Sequence, residues 1–182
     1  MPQDARIAFS ISSKVPEKFP RDERIEIAND DGSLHTSLTI ADGGLTLQDQ
    51  QTVLANLDPQ KSFGQSAFGA LRLRAVSADG VHGDWQPLIT LVRVPVLQHL
   101  QCTPAATETC TLTGTNLFLI DSIAADPDFN EKIAVPEGFV QQSLQVPHPL
   151  TTATLYIRLR DDPSVTDKAV LPLTTARSQI TP

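Results

Sequence analysis

Leu71-Arg72-Leu73-Arg74-Ala75-Val76-Ser77-Ala78-Asp79-Gly80-Val81-His82-Gly83-Asp84-Trp85 decides how the first half of this chain folds. Apolar and polar residues alternate from Leu71 to Ala75, the pattern breaks at Asp79-Gly80 and again at Gly83, and an apolar run returns from Leu88 to Val94. A strand, a glycine-bearing turn and a returning strand make a β-hairpin. Side chains alternate across a strand, so Leu71, Leu73 and Ala75 are expected to face a core, and Arg72 and Arg74 to face water. Trp85, the only Trp, is expected to be largely buried at one end of that core, near Leu88. Pro95 then ends the hairpin.

Upstream, Arg6 to Ser12 reads as a strand with Ile7, Phe9 and Ile11 on one face, interrupted by the proline-bearing segment from Val15 to Pro20. Glu23 to Ala28 and Leu34 to Ile40 form a second hairpin about the turn Asn29-Asp30-Asp31-Gly32-Ser33, and Asp42-Gly43-Gly44 closes it. For 47–56 the preferred reading is a short helix. Thr46 to Asp49 resembles a capping box, Leu47, Leu54 and Leu57 follow at near-helical spacing, and Asp58-Pro59 ends the run. The alternative is a strand from Gln51 to Leu57 before a Leu-Asp-Pro corner.

After Pro95, strands are expected at Val96 to Cys102, Cys110 to Thr113, Leu117 to Ile123, Phe139 to Val146, Thr154 to Arg160 and Lys168 to Leu173. Within 154–160, Leu155, Ile157 and Leu159 point inward and Tyr156, Arg158 and Arg160 outward. The pair Ile157-Arg158-Leu159-Arg160 echoes Leu71-Arg72-Leu73-Arg74 at an offset of 86 residues, the size of one sandwich module.

The chain has 182 residues, room for two modules of roughly 90. Aromatics make up only 5%, so the cores must be aliphatic, and fourteen scattered prolines punctuate many short strands. Residues 1–95 hold nine Lys and Arg against twelve Asp and Glu, and 96–182 hold five against nine, leaving −3 and −4. Neither half carries the basic footprint of a nucleic-acid binder. No apolar run approaches the ~20 residues that a membrane helix needs, so membrane insertion is not expected. Met1 to Arg6 shows no signal peptide. Of two readings, a cytoplasmic protein or a piece of a longer secreted chain, the architecture and the cysteines favour the second.

Asn56-Leu57-Asp58-Pro59, the Leu-Arg-Leu-Arg strand, and Asp79-Gly80 with Gly83-Asp84-Trp85 together resemble the closing half of a fibronectin type III-like module, although Arg6 to Gly44 lacks that pattern's early core Trp. Cys110-Thr111-Leu112-Thr113-Gly114-Thr115-Asn116-Leu117 resembles the hydrophobic-x-Gly-x-Asn-hydrophobic signature of IPT/TIG immunoglobulin-like domains. The resemblances imply an all-β chain of two tandem immunoglobulin-like β-sandwiches, 1–95 and 96–175, with a loose tail at 176–182. Such domains serve mostly as interaction or spacer modules on surface proteins or beside enzymes.

Cys102 and Cys110 lie on adjacent expected strands joined by a short loop, which makes them disulfide candidates and points to an oxidising compartment. No metal site is expected: His99 precedes Cys102 by three residues, but no further ligand stands at zinc spacing, and all four histidines look isolated. Asp30-Asp31, Asp126 with Asp128, and Asp161-Asp162 leave calcium open as a ligand, although aspartates serve turns in their own right. No nucleophile, base and orienter set is visible, so no catalytic residue and no cofactor are assigned. Candidate ligand-contact residues are Trp85, Tyr156, Arg158 and Arg160, with Phe63, Phe68 and Phe129 as loop aromatics for sugar stacking.

The resulting expectation is a non-catalytic interaction or spacer module of a larger extracellular, cell-surface or periplasmic protein, partnered by a protein or by the rest of its parent chain. The alternative is a carbohydrate-binding accessory region with a glycan partner. Pro95 joins two apolar segments without a Gly/Ser spacer, which predicts a stiff junction with a modest interface. Small-angle scattering should therefore show a narrow distribution of intermodule distances, broadened by Pro95→Gly with three inserted glycines.

Overall fold

Alternation governs the first half of the protein as it does its sequence. The computed structural model describes residues 1–13, 19–102, 109–149 and 153–175. Most of the expected interruption at Val15 to Pro20, nearly all of the loop at 103–109 and the tail at 176–182 lie outside them. The chain divides into two units, Met1–Arg93 and Val94–Pro182.

In the first unit the strands are β1 (Ile7–Ser12), β2 (Arg24–Ala28), β3 (His35–Leu38), β4 (Leu45–Leu47), β5 (Thr52–Leu57), β6 (Gly69–Val76) and β7 (Gln86–Leu91), with one helix, α1 (Pro59–Phe63), before β6. They form a three-stranded sheet, β1-β5-β4, and a four-stranded sheet, β3-β2-β6-β7. All of these pairings are antiparallel. The sheets pack through Ile25, Ile27, Leu38 and Leu71 on one side and Leu45, Val53, Ala55 and Leu57 on the other. This is the sheet-on-sheet burial that gives a sandwich its core.

The helix is not at 47–56. Those residues hold the end of β4 and most of β5, the alternative strand reading, because Val53, Ala55 and Leu57 alternate into the core at 0%, 0% and 1% exposure. The apparent capping box makes a turn instead: Asp49 Oδ1 accepts from the backbone N–H groups of Gln51 (2.7 Å) and Thr52 (2.8 Å). Asp58-Pro59 opens a helix rather than closing one. Asp58 caps α1 by accepting from Lys61 N at 3.1 Å, and Pro59 occupies the first turn, where its missing N–H goes unneeded.

The second unit contains β8 (Val96–Cys102), β9 (Thr109–Thr115), β10 (Ile120–Ala124), β11 (Lys132–Ala134), β12 (Ser143–Pro147), β13 (Thr154–Leu159), β14 (Asp162–Val170) and β15 (Leu173–Thr175). Its sheets are β11-β10-β13-β14 and β12-β9-β8-β15, with β15 parallel to β8 and the rest antiparallel. One four-stranded sheet in each unit therefore sets one hairpin beside another, β3-β2 against β6-β7 in the first and β11-β10 against β13-β14 in the second. The two Leu/Ile-Arg-Leu-Arg segments fall on topologically equivalent strands, β6 and β13.

Leu117 to Ile123 is not one strand. Leu117–Leu119 make a 3-10 turn before β10, because Asn116 takes the left-handed conformation at φ 57° and redirects the chain. Leu117 and Leu119 remain buried while Phe118 is exposed. Two residues earlier, a Cβ on Gly114 would sit 2.2 Å from the Val96 carbonyl oxygen across the β8–β9 pair. The Gly-x-Asn signature thus combines a close strand approach with a left-handed turn. Gly114→Ala should lower the stability of the second unit by about 3 kcal/mol, the upper end of ordinary overpacking. Gly83→Ala, whose nearest neighbour is a carbonyl oxygen at 3.9 Å, should stay within about 0.5 kcal/mol. Urea titration followed by circular dichroism checks both.

Candidate binding surfaces

The outer face of the first unit's four-stranded sheet is built by register. Glu26 pairs across β2–β6 with Arg74, and Ala28 with Arg72, so these side chains share the face opposite the core. Glu26 is a carboxylate at only 8% exposure. Arg74 Nη2 reaches its Oε2 at 2.8 Å and Arg24 Nε its Oε1 at 3.4 Å. Burial alone would raise the Glu26 pKa, but the hydrogen bonds and charges of Arg74 and then Arg24 outweigh it and hold the group below its usual 4.5.

Trp85 belongs to this face. It is half-buried, absent from the core cluster, and stacked by Arg74 (4.4 Å from guanidinium carbon to ring centroid) and Arg72 (4.7 Å). The expected place of Trp85 at one end of the core is thus corrected to the outer face of the sheet, over the arginines. The nine residues between β6 and β7 bring the ring back over the outward arginines, where π-density meets cationic charge. Arg72 also pairs with Asp30 at 2.9 Å, so an unbroken series of contacts runs Arg24, Glu26, Arg74, Trp85, Arg72, Asp30.

Asp30 also lines a cleft of about 450 Å³. Its walls are the β2–β3 turn (Asn29, Asp30, Asp31, Ser33, Leu34) and the segment Ser66 to Ala70. Asn29 Oδ1 accepts from Leu34 N at 3.0 Å and Asp31 Oδ1 from Ser33 N at 2.8 Å, which makes the turn wall rigid. Phe68 lies on the opposite wall, 46% exposed, with Arg93 stacked at 3.9 Å. Phe63, by contrast, packs against the core.

In the second unit Arg158 stacks on Phe129 at 4.1 Å and donates to Thr166 Oγ1 at 3.2 Å. Phe129 is buried at 7% exposure, on a loop where Asp126 Oδ1 accepts from Asp128 N and Asn130 Nδ2, both at 3.0 Å. Arg160 donates to the backbone carbonyls of Phe118 (2.7 Å), Val135 and Pro136 (3.0 Å), tying the 3-10 turn to the segment after β11. Tyr156 points outward beside Lys168 of β14 and is half-buried. The four candidate contact residues therefore divide between the two units, and three of them, Trp85, Arg158 and Arg160, have partners within the protein.

Cys102 and Cys110 face each other in the β8–β9 register and are joined in a disulfide. His148, just past β12, is not isolated: one of its ring nitrogens and the two sulfurs all lie within 4.8 Å of one another. Among the described residues this is the one convergence of three His, Cys, Asp or Glu side chains, so the Asp-rich turns do not gather calcium ligands in that way. His99 stands apart from it.

Alternation on β2 and β6 made Glu26 and the arginines recognisable as outward residues, whereas Phe68 stood out only as one of three loop aromatics and His148 gave no local signal. Their neighbours come from distant segments.

These features define an all-β protein of sandwich architecture, stapled by a disulfide, with no helix long and apolar enough to cross a membrane among the described residues. No protein-family model and no curated protein matches the chain. Among solved structures it is similar to SGBP-B of the Bacteroides ovatus mixed-linkage glucan utilization locus, solved in complex with a mixed-linkage heptasaccharide. The TM-score is 0.33 and the identity 13%, and the match covers 96% of this chain. The chain spans 42% of the length of that protein.

Trp85→Ala should cost about 1–2 kcal/mol, the scale of two cation–π contacts at a half-exposed site, rather than the ~3–5 of a core Trp truncation. Glu26→Gln should cost about 1.5–3 kcal/mol at pH 7, the range for hydrogen bonds to a charged group. The folded pKa of Glu26 lies below the unfolded one, so its contribution is fully present above about 4.5 and is lost as pH falls through the folded value. The difference between wild type and Glu26→Gln should accordingly shrink below pH 4.5 in denaturation measured across pH.

Proposed function

We propose that this chain is a non-catalytic interaction or spacer piece of a larger secreted or cell-surface protein. Its partner is the remainder of its parent chain or another protein. Its modules are a fibronectin type III-like sandwich over 1–95 and an IPT/TIG-like sandwich over 96–175. The observation that carries this reading is duplication. Both units repeat the paired-hairpin sheet, and in both an arginine of the equivalent strand, β6 or β13, stacks on an aromatic ring from a neighbouring loop. Residues that brace one another in this way stiffen a module and leave its turns for contacts. The disulfide supports an oxidising compartment. Gly114 and Asn116, whose backbone geometry suits the Gly-x-Asn signature, support the second module's likeness.

A second reading is favoured by a separate observation: Phe68, half exposed on the wall of a cleft whose other wall presents asparagine, aspartate and serine. An aromatic face beside several acceptors and donors suits a saccharide, which offers apolar C–H faces and vicinal hydroxyls. Affinity electrophoresis and calorimetry against a panel of soluble polysaccharides separate the two. The spacer reading expects no retardation. Carbohydrate binding would appear as retardation weakened at least tenfold by Phe68→Ala and left intact by Trp85→Ala.

A further inference from the structure

Three strands of one sheet end together in the second unit. Cys102 closes β8, Cys110 stands opposite it on β9, and β12 pairs Pro147 with Thr109 and so delivers His148 to the same end. Two sulfurs and an imidazole nitrogen thereby lie within 4.8 Å of one another. Cys110 is 2% exposed and Cys102 9%, while His148 is exposed, so the cluster has a dry floor and a side open to water. The Nδ1 of His148 lies 3.0 Å from the Pro149 carbonyl oxygen. With the proton on Nδ1 donated to that carbonyl, Nε2 presents a lone pair, the arrangement that orients metal-ligating histidines.

We propose that this sheet end binds a thiophilic divalent cation, Zn²⁺, once the disulfide is opened. Cys102, Cys110 and His148 supply three ligands and water the fourth. The bridge and the ion are alternative occupants of the same sulfurs. An external dithiol breaks the S–S bond by giving two electrons and two protons to the cysteines, and is itself oxidised to a disulfide. Each cysteine then loses its proton as its S–Zn bond forms, so two protons leave per ion. Zn–S bonds of about 2.3 Å and Zn–N bonds of about 2.0–2.1 Å in a tetrahedron put ligand atoms roughly 3.5–3.8 Å apart. The imidazole nitrogen lies within 4.8 Å of both sulfurs, so a small closing movement of the ring and a parting of the sulfurs reach that spacing. Carboxylate and amide sites elsewhere lack this donor set, which is what selects zinc over calcium or magnesium. The site stands independently of whether the chain binds saccharide.

The full chain, reduced with a phosphine and desalted without oxygen, should be titrated with Co²⁺ and then Zn²⁺, beside the disulfide-intact chain. The reduced chain should take up one equivalent of Co²⁺, with thiolate-to-cobalt charge transfer and tetrahedral d–d bands, and Zn²⁺ should displace it. His148→Ala should weaken Zn²⁺ binding at least tenfold in the reduced chain while leaving the melting of the disulfide-intact chain unchanged. The disulfide-intact chain should give no such spectrum. If reduction unfolds the second unit, one equivalent of Zn²⁺ should restore its circular dichroism, because binding only the folded form stabilises it. A reduced chain that neither takes up metal nor refolds with it would overturn the proposal. So would unchanged Zn²⁺ affinity in reduced His148→Ala, or equal uptake by the disulfide-intact chain.

Discussion

The cross-strand register of β6 with β2 is the constraint on which the first unit depends. It sets Ile27 against Leu73 and Ile25 against Ala75 on the core side, and Glu26 against Arg74 on the other. A slip of one residue would turn every side chain over, driving two guanidiniums into an aliphatic core and exposing the leucines. Two independent forces resist that slip: burial of Leu71, Ile25 and Ile27 below, and the Glu26–Arg74–Trp85 contacts above. The polar face therefore specifies the fold as well as solvating it. With Glu26 so nearly shut off from water, losing Arg74 would leave a charge without adequate compensation.

That register also explains how much was legible. Period-two alternation over Ile7–Ser12, Arg24–Ala28, Gly69–Val76 and Thr154–Leu159 is a local property, and the strands formed there with the expected faces inward. The misplaced helix has a local cause as well. Leu47, Leu54 and Leu57 fit a helical spacing, but Val53, Ala55 and Leu57 fit a strand, and pairing with β1 on one side and β4 on the other decided between them. Asp58-Pro59 was ambiguous in kind, since the same dipeptide can close one element and cap the next.

The candidate sites were less legible, because each joins segments that no local pattern links. Trp85 as an isolated large aromatic suggested a core; only the path of the Ser77 to Asp84 connection, bridged at Val76 and His82, puts it over the arginines instead. Phe68 meets the 29–34 turn through the β2–β6 pairing. His148 comes to the cysteines through β12, whose start was expected four residues too early and whose partner strand was not assigned. A composition with so few aromatics makes the placement of each one matter, and placement is a property of the whole sheet.

Where the faces of a sandwich are already occupied, chemistry moves to the strand ends. Arg72, Arg74, Arg158 and Arg160 could in principle meet an anion from solvent. Instead each is engaged by a ring, a carboxylate, a hydroxyl or backbone carbonyls of its own unit. A ligand competing for them would first have to replace those partners, and would gain only the difference between the two sets of contacts. At the strand ends two groups of residues also have a side open to water. The cleft beside Phe68 lies between the β2–β3 turn and the segment entering β6, and the Cys102–Cys110–His148 cluster lies where β8, β9 and β12 terminate. In both places a sheet holds the backbone while side chains from separate segments converge beyond it, which is the usual division of labour between scaffold and loops.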